Sequence, residues 1–266
     1  MARIYWTVPQ GSAAWFKLRA GIPTASNFDK ILTPKRAELA AARFKYGCRL
    51  VAEKLLNWQA DSLDTIRHIE DGRINEPFAV GQLHAISGVV THKLGIVTTN
   101  DGRFGASPDR AIPAHGTPAG DIEDGVLAEV IEVKSPTVPK QFEYLLLGHD
   151  DAYRCQVQGQ LYVGEADKAT FYSYSDRMPA YHVETGRDEP FIRKLRDALE
   201  EFDDELQEML ERAQSLGIYQ AFEDARLPAD REYADGIRRD PLTTAEEMAA
   251  VIERETRPGD LYRMGA

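Results

Sequence analysis

The chain has 266 residues, of which 43% are hydrophobic and 28% are charged, an ordinary composition for a globular protein with a sizeable core. A net charge of −11 argues against a basic protein that simply coats nucleic acid. No apolar run reaches the roughly 18 residues of a membrane span, and the first residues lack the apolar core of a signal peptide, so we expect a cytoplasmic protein with no membrane contact. The two cysteines, Cys48 and Cys155, are too few for a disulfide framework or a four-cysteine metal site.

Helices are predicted to lead the chain. A first, aromatic-containing helix is ended by Gly21 and Pro23, which are residues that interrupt helices. Thr24 or Ser26 is a suitable N-cap for a second helix. Amphipathic patterns predict two further helices before the composition changes. The predicted segments are 10–19, a helix starting at 24–26, 37–57 and 74–86.

The middle of the chain is richer in β-branched residues, which favour strands. A stretch rich in Pro, Gly and Asp at 113–125 predicts a loop. Strands are predicted as a pair within 88–99, within 103–112 (interrupted by Pro108), and at 126–134, 168–175 and 180–185.

Helices are predicted again at the end of this region, near 138–148, 150–163 and 188–215. The element order indicates an α/β fold of the mixed α+β kind, a mixed sheet flanked by helices. We expect one domain over 1–216 and a C-terminal appendage of unassigned role over 217–266.

Ser107-Pro108-Asp109 is followed, 23 positions after Asp109, by Glu132-Val133-Lys134. Side chains alternate along a strand, so Glu132 and Lys134 share one face, about 7 Å apart. Two charges on an apolar strand are costly unless they are paired or bind metal. A hairpin-like return from Asp109 would bring its carboxylate beside Glu132. Two carboxylates and a backbone carbonyl form a hard oxygen site suited to Mg²⁺.

Such a site suits phosphodiester hydrolysis, because a bound metal activates water and neutralises charge on the phosphate. Lys134 would orient the attacking water, deprotonate it, or stabilise the developing charge. A lysine base needs a lowered pKa, and neighbouring carboxylates raise it, so the positioning role is favoured. The alternative is an ordinary surface strand, since a D…ExK spacing also arises by chance.

Five blocks in order add to this pattern, at 10–26, 72–80, 105–112, 131–136 and 153–163. Over roughly 8–205 the chain resembles the lambda-type phage exonucleases, also called YqaJ-like viral recombinases, of the PD-(D/E)XK nuclease superfamily. The resemblance implies a restriction-endonuclease-like core. The loop 113–125 is longer than the family minimum, which affects access to the site rather than its position.

The resemblance also implies the roles of individual residues, in three groups. The first holds Mg²⁺, for which Mn²⁺ can substitute, the second acts on the scissile phosphate, and the third binds a 5′-phosphate. The metal group is Asp109, Glu132, the Val133 carbonyl and Glu76; the catalytic group adds Lys134 and Gln156; the 5′-phosphate group is Arg19, Ser26 and Ser107, with Gln156 beside it.

Several of these residues have simpler readings from the sequence alone. An acid at Glu76, close to the predicted helix start, suits the helix dipole. Gln156 and Gln160 at i and i+4 form an ordinary polar stripe. Arg19 alone is a surface arginine, and Trp15 is a packing anchor rather than a base-stacking residue.

The activity implied by the resemblance is 5′→3′ digestion of one strand of linear double-stranded DNA to mononucleotides. A 3′ single strand would be left for recombination with a single-strand annealing protein as partner. A homotrimer encoded by a phage or prophage is implied as well. The alternatives are a restriction-type or helicase-associated nuclease of the same superfamily, and a non-catalytic scaffold that binds DNA ends.

Overall fold

The computed structural model describes residues 1–56, 66–149, 151–218 and 220. Its strands are β1 Ala2–Tyr5, β2 His92–Lys93, β3 Ile96–Thr98, β4 Gly105–Ala106, β5 Arg110–Pro113, β6 Ile122–Gly125, β7 Leu127–Lys134, β8 Lys168–Ser173 and β9 Tyr181–Gly186. They form a four-stranded sheet in the order β4-β3-β1-β6 and a five-stranded sheet in the order β2-β5-β7-β8-β9.

Helices flank both sheets. They are α1 Ala13–Arg19, α2 Arg43–Leu56, α3 Ile66–Ser87, α4 Val138–Leu147, α5 Arg154–Val163 and α6 Glu189–Ser215, with short 3₁₀ helices at Ala25–Lys30 and Asp151–Tyr153. The predicted α/β class, a mixed sheet flanked by helices, is confirmed. Over the ranges described, no helix is long and apolar enough to span a membrane.

Strand β7 lies at the centre of the five-stranded sheet. It pairs antiparallel with β5 and parallel with β8. A parallel pair needs a crossover connection, and here α4 and α5 supply it. In the antiparallel β5–β7 register Arg110 lies opposite Ile131. Continuing that register by one residue sets Asp109 opposite Glu132, near the C-terminal end of β7.

The crossover helix α5 is held close to the rest of the core. Gly159 faces Phe28 of the first 3₁₀ helix so closely that an added Cβ would lie 2.5 Å from the Phe28 ring. Phe28 is fully buried. Elsewhere in the core, Phe202 of α6 stacks on Tyr46 of α2. Their ring centres are 5.8 Å apart and the rings are nearly parallel. Close packing therefore holds α5 against the first 3₁₀ helix.

Two predicted helix starts are wrong. Helix α2 begins at Arg43 rather than 37, because Ala37 takes a left-handed φ of 52° and Leu39 forms a β-bridge to Leu32. Helix α3 begins at Ile66 rather than 74 and contains Pro77. Glu76 is therefore in the helix interior, and the dipole explanation of that residue is wrong.

The strand pairing predicted within 88–99 is wrong as well. Strands β2 and β3 exist, but β2 pairs with β5 and β3 pairs with β1 and β4, in different sheets. The predicted strand at 103–112 is likewise divided between the two sheets as β4 and β5. The predicted loop 113–125 contains β6, which pairs with β1, a strand that was not predicted. Each error concerns a short strand whose partner is distant in the sequence.

The helix predicted to start at 24–26 is the 3₁₀ helix Ala25–Lys30, with Thr24 as its N-cap. The remaining predicted elements are confirmed, with boundary shifts of a few residues. They are the first helix, the strands at 126–134, 168–175 and 180–185, and the helices near 138–148, 150–163 and 188–215. The second of these helices opens with a 3₁₀ turn. Of the predicted appendage, all but 217, 218 and 220 lies outside the described residues.

We expect Gly159→Ala to destabilise the protein by roughly 1–3 kcal/mol, because overpacking against Phe28 outweighs the gain in helix propensity. Gly81→Ala in α3 is the matched control, since nothing lies within 4 Å of its added Cβ. It should stabilise by up to about 1 kcal/mol. Urea unfolding of both variants tests this, and equal effects would contradict the proposed close approach of α5.

Candidate metal centre and phosphate-binding cluster

The centre of the site is the carboxylate of Glu132 on β7, whose residue is only 5% exposed. Oxygen Oε1 accepts hydrogen bonds from Lys134 Nζ at 2.5 Å and from Gln156 Nε2 at 2.6 Å. Oxygen Oε2 accepts one from Gln160 Nε2 at 2.5 Å. A buried charge is tolerated only when it is paired and hydrogen-bonded, and these three donors meet that requirement.

Asp109 lies next to this carboxylate. The main-chain N–H of Val133 donates to Asp109 Oδ2 at 2.6 Å. Burial, followed by repulsion from Glu132, raises the pKa of Asp109 to about 8, although Lys134 and the Val133 N–H oppose the shift. Two carboxylates are thus held close enough to repel each other.

This donor set fits a divalent cation. A cation between Asp109 and Glu132 would convert their repulsion into attraction, and carboxylate oxygens are the ligands that Mg²⁺ and Mn²⁺ prefer. The predicted third ligand, the carbonyl of Val133, belongs to the residue whose N–H already fixes Asp109. In the part of the chain that the structure describes, no group of three or more His, Cys, Asp or Glu side chains is arranged to hold a metal.

Lys134 is a cation in this environment. Burial lowers its pKa, but Glu132 and Asp109 raise it by more, so that the pKa lies above its ordinary value. The ammonium also lies 5.3 Å from the centre of the Tyr153 ring, a cation–π contact. The structure therefore favours positioning and charge stabilisation over a general-base role for Lys134.

Glu76 lies at the edge of the site. Its carboxylate is 3.8 Å from Lys93 Nζ on β2, and its charge contributes to the raised pKa of Asp109. The interior of α3 thus brings a third carboxylate near enough to act on Asp109, where its effect on the pKa of Asp109 is smaller than that of Glu132.

The residues expected to bind a 5′-phosphate form a second cluster. Arg19, at the end of α1, donates from one guanidinium nitrogen to Ser107 Oγ and from the other to Thr24 Oγ1, both at 3.2 Å. Ser26 Oγ is 3.4 Å from Thr24 Oγ1. Thr24 therefore connects Ser26 to Arg19.

Trp15 contacts both Ser107 and Arg19 of this cluster. Its indole N–H is shared between the Gly95 carbonyl and Ser107 Oγ, and the Arg19 guanidinium lies 4.2 Å from the ring centre. The predicted role of Trp15 as a packing anchor agrees with these contacts.

The two clusters are joined by Ser107-Pro108-Asp109, the segment between β4 and β5. Ser107 belongs to the Arg19 cluster and Asp109 to the carboxylate pair. Their Cα atoms are at most about 7 Å apart, the reach of two residues. Gln10 Nε2 donates to the carbonyls of Pro108 and Leu94 and fixes the segment in place.

Besides Trp15, three residues that contact these clusters were not among the predicted site residues. Gln160 contacts Glu132, Tyr153 contacts Lys134, and Thr24 connects Arg19 to Ser26. The sequence feature that could have indicated Gln160 is its i, i+4 spacing from Gln156, but the same spacing also fits two polar residues on the solvent-exposed face of a helix. Nothing in the local sequence distinguishes Tyr153 or Thr24 from structural residues.

A buried Asp–Glu–Lys set at the end of a mixed sheet, between helices, places the protein in the PD-(D/E)XK class of folds. Residues 14–168 match the YqaJ-like viral recombinase domain, and the chain belongs to that family. No curated protein sequence matches it significantly.

Solved structures share the fold. An alkaline exonuclease from Laribacter hongkongensis (LHK-Exo) is 23% identical, with a TM-score of 0.64, over 78% of this chain and 98% of its own. The complex of LHK-Exo with dAMP gives 24% identity and a TM-score of 0.65, with the same coverage of both chains. A phage-related exonuclease from Haemophilus somnus 129PT is 14% identical, with a TM-score of 0.51, over 74% of this chain and 98% of its own.

Asp109→Asn should change the pH dependence of stability in metal-free protein. The folded-state pKa of Asp109, about 8, lies above its ordinary 3.8, so folding favours the neutral acid. That stabilisation is complete below about pH 4 and is lost as the pH rises to about 8. Relative to Asp109→Asn, the wild type should lose at most about 1.4 kcal/mol of unfolding free energy per pH unit across this window.

Urea unfolding in EDTA from pH 4.5 to 8.5 measures this difference. Asp176→Asn is the control, because Asp176 pairs with Arg177 on an exposed surface. Parallel stability curves for the wild type and Asp109→Asn would show that burial and the neighbouring Glu132 do not raise the pKa of Asp109 as described.

Proposed function

We propose that the protein is an exonuclease that requires a divalent metal and digests one strand of linear double-stranded DNA in the 5′→3′ direction to mononucleotides. The observation that carries the proposal is the connection through residues 107–109. It joins the Asp109–Glu132 carboxylate pair to the arginine–hydroxyl cluster of Arg19, Ser107 and Thr24.

Asp109, Glu132 and the Val133 carbonyl would hold Mg²⁺, with Mn²⁺ able to substitute, and Glu76 would support the site from its edge. When bound, such a cation activates a water molecule and neutralises charge on the scissile phosphate. Lys134 supplies a fixed positive charge beside Glu132, where negative charge develops during phosphoryl transfer. Gln156 donates to the Glu132 carboxylate, and we assign it a further contact to the scissile phosphate.

The Arg19 cluster accounts for the polarity of digestion. A guanidinium with neighbouring hydroxyls binds a terminal phosphate through several charge-assisted hydrogen bonds. A 5′-phosphate held there would set the first phosphodiester bond at the carboxylate pair, in position for attack. Thr24 would take part together with Arg19, Ser26 and Ser107, because its hydroxyl joins the cluster.

The structural relatives support an exonuclease rather than an endonuclease. LHK-Exo is an alkaline exonuclease that was crystallised with dAMP, a deoxynucleoside 5′-monophosphate. The Haemophilus somnus protein is a phage-related exonuclease. The proposal also includes the 3′ single strand that digestion leaves, a single-strand annealing protein that receives it, a homotrimer around the DNA, and the cytoplasm of the bacterial host as the location.

Two other functions remain to be separated by experiment. A restriction-type or helicase-associated nuclease would also use the carboxylate pair, but it would cut covalently closed circular DNA. A non-catalytic scaffold would bind DNA ends without cutting them in Mg²⁺. The repulsion between Asp109 and Glu132 favours catalysis over the scaffold, because two buried carboxylates held together are costly without a cation to bind them.

Lys134→Ala should lower the cleavage rate by roughly 10²–10³-fold, the usual effect of removing one electrostatic contact to a transition state. Wild type and variant are incubated with linear duplex DNA in Mg²⁺ with each strand labelled separately, and closed circular DNA serves as the control substrate. Loss of the 5′-phosphorylated strand by wild type alone is expected. Cutting of the circular DNA would instead support the endonuclease alternative.

Arg19→Ala should slow digestion of 5′-phosphorylated DNA by about 10- to 100-fold, since hydrogen bonds to charged groups contribute roughly 1.5–3 kcal/mol. Digestion of DNA with a 5′-hydroxyl should change little. Arg36→Ala is the matched control, because Arg36 is 80% exposed and pairs with Glu38. An equal loss on both DNA ends would remove Arg19 from the 5′-phosphate pocket.

A further inference from the structure

Gln160 is buried beside the metal-binding pair. The residue is 1% exposed on α5, and its amide nitrogen donates to Glu132 Oε2 at 2.5 Å. Gln156, one helical turn earlier, donates to the other oxygen, Oε1. The two amides therefore hold the two oxygens of one carboxylate from the same helix.

Among the described residues, the hydrogen bonds to Glu132 leave one acceptor position open. An ionised carboxylate offers about four such positions. Oxygen Oε1 receives two donors, Lys134 and Gln156. Oxygen Oε2 receives Gln160. The position that remains is therefore on Oε2, and Gln160 determines its direction.

The amide of Gln160 has a second property that suits a cation site. It is neutral, so it fixes the carboxylate without the repulsion that another lysine would exert on a cation. Its own oxygen, Oε1, is buried without a hydrogen-bond partner in the described part of the chain. Buried acceptors usually have a partner, and a water molecule held at the carboxylates would provide one.

Not every buried glutamine in this region has this arrangement. Gln158, also on α5 and 3% exposed, donates to the Gly186 carbonyl and accepts from the Asp188 N–H. Both of its partners are main-chain groups beside the start of α6. Gln158 thus stabilises the fold on the side of α5 away from Glu132, whereas the amide of Gln160 is directed at the acidic pair.

We propose that Gln160 is a positioning residue for the metal centre, which fixes Glu132 Oε2 so that its open acceptor position is presented to a divalent cation. The inference rests on the proposed function, because it concerns the same carboxylate pair. It assigns to Gln160 a role distinct from packing, since its amide acts on metal binding through Glu132.

The test is calorimetric titration of the full chain with Mn²⁺ alone. Gln160→Met keeps the side-chain volume and removes the donor. We expect it to weaken Mn²⁺ binding by about 10- to 100-fold, the usual cost of losing a residue that orients a metal ligand. Gln158→Met is the matched control and should lower the melting temperature while leaving the Mn²⁺ affinity unchanged. In DNA digestion at saturating Mn²⁺, Gln160→Met should lower kcat and leave KM for DNA within about twofold of the wild type.

The outcomes separate the two proposals. If the wild type does not bind Mn²⁺, the metal-dependent function itself fails. If the wild type binds Mn²⁺ and Gln160→Met binds it equally well, only the role of Gln160 is overturned. Should Gln160→Met not unfold cooperatively, Gln160→Leu is titrated in the same way. Failure of both variants to fold, with Gln158→Met folded, would make Gln160 a structural residue and would also overturn the proposal.

Discussion

The buried carboxylate of Glu132 imposes the strictest requirement on this structure, because an ionised group away from water needs several donors at once. Its own strand supplies Lys134, two residues along and on the same face. The other two donors, Gln156 and Gln160, come from α5. The parallel pairing of β7 with β8 demands a crossover, and the site uses that crossover to bring α5 onto the strand end. Close packing of Gly159 on Phe28 then fixes the depth at which the two amides lie.

The short segment 107–109 links two parts of the molecule with different chemistry. Strand β4, before it, belongs to the sheet that carries β1, while β5, after it, belongs to the sheet that carries Glu132. Ser107 is therefore held by Trp15 and Arg19, and Asp109 by the Val133 N–H. The distance between the Arg19 cluster and the Asp109–Glu132 pair depends on how the two sheets meet rather than on flexible side chains. This suits a function in which the end of a DNA strand is held at a fixed distance from the reacting bond.

The net charge of −11 is compatible with the DNA substrate proposed for this chain. Much of its acidity lies on solvated helix faces such as that of α6, where nine residues, from Phe191 to Ala213, are buried and the acids face outward. At the site itself, the negative charge of Asp109 and Glu132 is what attracts a cation. Arg19 and Lys134 lie on either side of residues 107–109, so that positive charge is concentrated where a phosphate would bind.

The sequence alone determined the strand 126–134, the long amphipathic helices and the facing of Glu132 and Lys134, because alternation and helical periodicity are local properties. It also indicated that Asp109 returns beside Glu132. Only the tertiary structure decided which sheet each short strand joins, since β1, β2, β3 and β6 are stabilised by partners distant in the chain. For the same reason, only the tertiary structure distinguished Gln160 from Gln158. Both glutamines lie on one buried helix, but Gln160 donates to the Glu132 carboxylate and Gln158 to a main-chain carbonyl.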